Sequence, residues 1–102
     1  MYQSNRGVAW AKLGDFERAK ADCDVAVKAM PFEGGMYRAR GLVSYLHGDD
    51  AAAQADFKKC LDLTVGGQRK EMERSIAASC RRNDALRRKL SGTPSSATER
   101  SR

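Results

Sequence analysis

No apolar run in this chain approaches the roughly 18 residues that a membrane-spanning helix needs. The amino terminus also lacks a basic segment followed by an apolar stretch, the mark of a secretory leader. The expectation is therefore a soluble, unsecreted protein. Cysteine is sparse and odd in number, three in all, with no Cys-x-x-Cys spacing, and histidine occurs once, as His47. A zinc site has too few ligands, a disulfide framework has no complete set of partners, and a reducing, cytoplasmic compartment is the simplest setting. Nothing pairs a nucleophile with a base and a group to orient it, so no enzyme is visible. Gly34 and Gly35 lack a following Gly-Lys-Ser/Thr and read as a turn rather than a phosphate loop. No cofactor is implied.

What the chain does contain is internal repetition. Arg6, Gly7, Gly14, Asp15, Ala19, Ala21 and Asp22 recur in the same order 34 residues later as Arg40, Gly41, Gly48, Asp49, Ala53, Ala55 and Asp56. A fixed period of this size means one supersecondary unit used twice, each copy burying its apolar face against its neighbour. Within the first copy Ala19, Cys23 and Ala26 return at helical spacings of four and three. Gly14 suits the position just past a helix end, Asp15 can cap the next helix, and Pro31 closes the unit because proline cannot continue a helix.

This pattern resembles the tetratricopeptide repeat, a 34-residue helix–turn–helix module. In that register Gly7 and Gly41 hold the small position where two helices cross, Trp10 and Phe16 are the aromatics, and Pro31 is the terminal proline. The second copy has Ser44, Asp50 and Val65 at the corresponding aromatic, aromatic and proline places. The resemblance implies an all-α right-handed superhelix, with repeats over residues 1–33 and 34–67. The stretch from Tyr2 to Leu63 also looks like the middle and last repeats of chaperone-adaptor domains that hold carboxylate-ending tails. Of the clamp positions such domains use, Asn5 is present, while Gly35 and Ala39 stand where a lysine and an arginine are used.

Charge divides the chain sharply. Residues 1–67 carry nine basic and nine acidic side chains, and residues 68–102 carry ten basic and four acidic, which accounts for the whole net charge of +6. From Gln68 to Leu90 there is no proline or glycine, and Met72, Ile76 and Cys80 recur every four residues, with Leu86 and Leu90 continuing the apolar stripe less regularly. One long amphipathic helix is expected over 68–90, its first half capping the second repeat and its basic half exposed. Residues 91–102, rich in Ser and Thr and without large apolar residues, are expected to be disordered.

The resemblance implies that first helices of successive repeats line a concave face that takes a peptide or partner helix. Asn5, Val8 and Lys12 from the first copy and Arg38, Leu42 and Tyr45 from the second would line it here, a mixture suited to an acidic, partly apolar ligand. The expected role is an adaptor or scaffold that binds protein, with a link to chaperones. The alternative gives Arg81, Arg82, Arg87, Arg88 and Lys89 to the phosphates of a nucleic acid or a ribonucleoprotein. Two repeats and a covering helix fall short of the three units that normally stabilise an array. The chain is accordingly expected to extend a longer array, pair with another protein or form a homo-oligomer.

Overall fold

Gly7 and Gly41 decide how closely the helices can approach. The computed structural model describes residues 3–90, and among them there are six α-helices and no strand. They are α1 (Gln3–Lys12), α2 (Phe16–Ala29), α3 (Gly34–His47), α4 (Asp50–Leu63), α5 (Gln68–Arg82) and α6 (Asp84–Leu90). Helix α1 packs on α2 and α3 on α4, while α1 and α2 both lean on α3. Helix α5 lies against α3 and α4, and α6 returns to α3. The result is an all-α domain with α3 at its centre. The expected disordered tail, residues 91–102, and the start of the chain at Met1 and Tyr2 lie outside the described residues.

The two halves are built by the same local chemistry. Gly14 and Gly48 have φ of 88° and 86°, a left-handed conformation that glycine adopts without a Cβ penalty. Around them the Asp15 N–H donates to the Trp10 carbonyl and the Asp49 N–H to the Ser44 carbonyl, each at 2.9 Å, which satisfies carbonyls left open at the helix end. The same aspartates then start the next helix. Asp15 accepts from the Arg18 N–H at 3.1 Å and Asp49 from the Ala52 N–H at 3.2 Å.

Side chains repeat as well. Arg6 forks onto Asp22 through Nε and Nη2 at 2.8 and 2.9 Å, and Arg40 forks onto Asp56 through the same two atoms, both at 3.0 Å. Arg40 also reaches Asp24 at 3.1 Å, which joins the second hairpin to the first. A Cβ on Gly7 would meet Cys23 Sγ at 2.6 Å and the Ala19 carbonyl at 3.0 Å. One on Gly41 would meet the Phe57 ring at 2.7 Å. Close crossing therefore depends on glycine in each hairpin. Around these crossings Ala11, Ala19, Cys23, Val43 and Leu46 form the buried cluster, with Trp10 and Phe16 packed on it.

The carboxy-terminal part departs from the single helix expected over residues 68–90. It breaks at Asn83, whose Nδ2 donates to the Ser79 carbonyl and whose own carbonyl accepts from the Arg87 N–H, both at 2.8 Å. An asparagine side chain competes with the backbone in this way and favours a helix boundary. Past the break Leu86 and Leu90 pack on the buried cluster.

Two stability predictions follow from these contacts. Gly7→Ala should lower the unfolding free energy by about 1–3 kcal/mol in urea melts, because overpacking outweighs alanine's better helix propensity. Gly35→Ala, whose nearest contact would be Glu33 at an ordinary 3.6 Å, should be neutral or stabilising; equal losses at both sites would show that the crossing is not tight. The second concerns acid. Asp22 is held below the usual carboxylate range, chiefly by its hydrogen bond from Arg6. A lowered folded-state value means that this contribution is complete above the unfolded value of about 3.9 and is lost as pH falls through the folded one. Melting temperatures of Asp22→Asn should thus fall less steeply than those of the unaltered chain in acid below about pH 4.

Candidate functional site

Helix α3 contacts each of the other five helices, and the side chains along it set what its surface offers. Arg38, Leu42 and Tyr45 lie at spacings of four and three, and all three are half-buried. Arg38 donates from Nη2 to Ser75 Oγ and Ser79 Oγ, both at 2.9 Å. The Tyr45 hydroxyl donates to Asp84, and the Arg87 guanidinium lies 4.3 Å from the centre of the Tyr45 ring while Nη2 bonds Asp50 at 2.8 Å. The bond to Asp84 pushes the Tyr45 phenol above its usual value, helped by burial. The inner wall expected to stand open at Arg38 and Tyr45 is thus covered in cis by α5 and α6.

The remaining expected groove residues sit on α1. Asn5 and Lys12 are exposed, whereas Val8 is half-buried against the core cluster. Ala39, at one of the clamp positions, packs on that cluster too, and Gly35 occupies the first turn of α3. Of the two cations expected on this face, Lys12 is exposed and Arg38 is half-buried against Ser75 and Ser79.

The basic residues of the last two helices do not form one exposed stripe. Arg81, Arg82, Arg88 and Lys89 are exposed, but Arg87 is half-buried and paired with Asp50. Arg82 turns back along α5 to bond Ser79 Oγ at 3.2 Å. The helix break at Asn83 places Arg81 and Arg82 on one element and Arg87, Arg88 and Lys89 on another.

Two depressions mark the described surface. A groove of about 760 Å³ lies between α2 and α4 with α3 as its floor, and contains the Phe16–His47 stack and the Asp24–Arg40–Asp56 bridge. The rings of Phe16 and His47 are 4.2 Å apart and nearly parallel, so the lone histidine packs at the hairpin seam. A smaller cleft of about 280 Å³ between α4 and α5 is walled by Phe57, Leu61, Ile76 and Ala77. The three cysteines are free thiols. Burial, with Asp24 and Asp22 nearby, pushes Cys23 up to about 12; burial likewise raises Cys60 and Cys80. Raised thiols are poor nucleophiles at neutral pH.

Sequence reasoning did not find Asp84, Arg87 or Asp50 as partners of this face. The available signal was the Asn83-Asp84 pair, whose short polar side chains favour a helix boundary. Helix α6 has no fully buried residue and is seven residues long, which places it at the low-stability end of the molecule. Its amides should exchange with deuterium well before those of α3, and Tyr45→Phe should speed α6 exchange further while leaving α3 unchanged. Simultaneous exchange of α3 and α6 would mean that they open as one unit.

Among the described residues no group of three or more His, Cys, Asp or Glu is placed to hold a metal ion, and no helix is long and apolar enough to cross a membrane. Comparison with protein-family models, with curated proteins and with solved structures returns no match.

Proposed function

We propose that the chain is a non-enzymatic protein–protein interaction module built on two tetratricopeptide-type hairpins, an adaptor or scaffold whose α1–α3 face takes an amphipathic, acidic segment of a partner. The 34-residue recurrence of glycine crossings, Arg–Asp forks and turn geometry supports the repeat assignment. One observation carries the functional reading. Helix α6, a basic segment with one acid, already occupies part of that face, with Leu86 and Leu90 on the buried cluster and the Asp84 carboxylate accepting from Tyr45. A face that accepts leucines beside an acid in cis has the chemistry to accept them in trans.

Lys12 is exposed and would extend charge complementarity beyond the reach of α6. With Gly35 and Ala39 at clamp places, the reading relies on apolar docking plus Lys12, so a chaperone link rests on Asn5 alone. Free thiols suit a reducing compartment.

Competition with α6 supplies the test. A ligand must displace an occupied site, so its apparent affinity is reduced by the fraction of molecules with the face open. In the full chain, Leu86→Asp with Leu90→Asp should raise affinity for an amphipathic peptide with the Asp84, Leu86, Leu90 spacing by about tenfold or more. Adding Lys12→Glu should weaken it again. Fluorescence anisotropy that shows no binding to either form, or equal binding to both, would remove this reading.

A further inference from the structure

Several arginines in this domain are neutralised. Arg6, Arg18, Arg40, Arg69 and Arg87 each pair with a carboxylate within 4 Å. Arg38 and Arg82 have no aspartate or glutamate partner among the described residues, and what sets them apart is that both point a guanidinium at the same neutral oxygen. Arg38 Nη2 lies 2.9 Å from Ser79 Oγ and Arg82 Nη2 lies 3.2 Å from it, with Arg38 also 2.9 Å from Ser75 Oγ. Ser79 is nearly buried at 7 % exposure. Two cations converge on it without an anion.

The electrostatics of this arrangement are unfavourable as they stand. Guanidinium groups have no acceptor and cannot lose their protons in a protein, so the repulsion between them is relieved only by an anion or by solvent. The unneutralised charge of Arg38 is felt nearby, where it works against the burial that raises Cys60 and Cys80. The two guanidiniums come from different helices, α3 and α5, and therefore approach from different directions. Serine hydroxyls between them rotate freely and can donate once a stronger acceptor takes the arginines.

We propose that Arg38, Ser75, Ser79 and Arg82 form a binding site for a tetrahedral oxyanion, inorganic phosphate or a small phosphomonoester. Four donors in a non-planar set match the distributed oxygens of a phosphate better than the flat pair of a carboxylate. Exposure of Arg82 leaves the site open at the end of α5, and half-burial of Arg38 shields it from full screening by solvent. An occupied site would tie α5 to α3. The site does not depend on a peptide being bound to the α1–α3 face.

The test uses the full chain at constant ionic strength, with chloride replaced in turn by inorganic phosphate, glycerol 2-phosphate or acetate. Side-chain N–H signals of Arg38 and Arg82 should move saturably in nuclear magnetic resonance titrations with phosphate, and the melting temperature should rise. Arg82→Gln changes an exposed side chain and should keep the fold, yet weaken phosphate binding about tenfold, the loss of one charge-assisted hydrogen-bonded contact. Arg81→Gln, one residue away, should leave it unchanged. Saturation with both phosphate and the ester supports a site for esters, and saturation with phosphate alone supports a site for the free ion. Acetate binding as tight as phosphate, equal effects of Arg81→Gln and Arg82→Gln, or no saturation by either phosphate compound would overturn the proposal.

Discussion

Close approach of helices at a residue without a side chain is the constraint on which this domain rests. Where α1 meets α2 and α3 meets α4, Gly7 and Gly41 leave no room for even one methyl group. Tight crossing brings Cys23, Ala19 and Phe57 within contact of the facing backbone, and interior packing at this density makes small changes of volume costly. It also sets the distance across which Arg6 reaches Asp22 and Arg40 reaches Asp56 as two-toothed forks. Glycine, cysteine and the ion pairs thus belong to one geometric solution used twice.

Much of that solution could be read from residue order. Gly14–Asp15 and Gly48–Asp49 state both the end of one helix and the start of the next, because each dipeptide combines the conformation and the cap that the turn needs. The recurrence of Arg6 with Asp22 and of Arg40 with Asp56 was visible too, although a separation of 16 residues does not by itself say that the partners touch. What could not be read is where α5 and α6 lie on α3. Arg38 finds Ser75 and Ser79 at separations of 37 and 41, and Tyr45 finds Asp84 at 39. The first two depend on how α5 docks on α3, and the third on the angle of the chain at Asn83, where a side-chain hydrogen bond meets two leucines that pack on the core.

That choice shapes the candidate site. A straight terminal helix would have left Tyr45 facing solvent and carried Arg87 away from Asp50. The bend instead uses one short helix to cover the end of α3, held by an aromatic–cation contact, a phenol–carboxylate bond and partial burial of Leu86 and Leu90. None of these is large, since exposed or half-exposed polar contacts contribute on the order of 1 kcal/mol each. A covering element of this kind holds the face in a defined state and yields it to a better-matched competitor.

Arg40 differs from Arg6 in having a second acid. Its bond to Asp56 stays inside one hairpin, where that carboxylate is only 11 % exposed, while its bond to Asp24 crosses to the neighbouring hairpin and ends on a carboxylate 50 % exposed. Dissolved ions screen the outer arm far more than the inner one. Rising ionic strength therefore weakens the arm between the hairpins before the arm within one, and leaves the apolar contacts of α1 and α2 with α3 to carry the join.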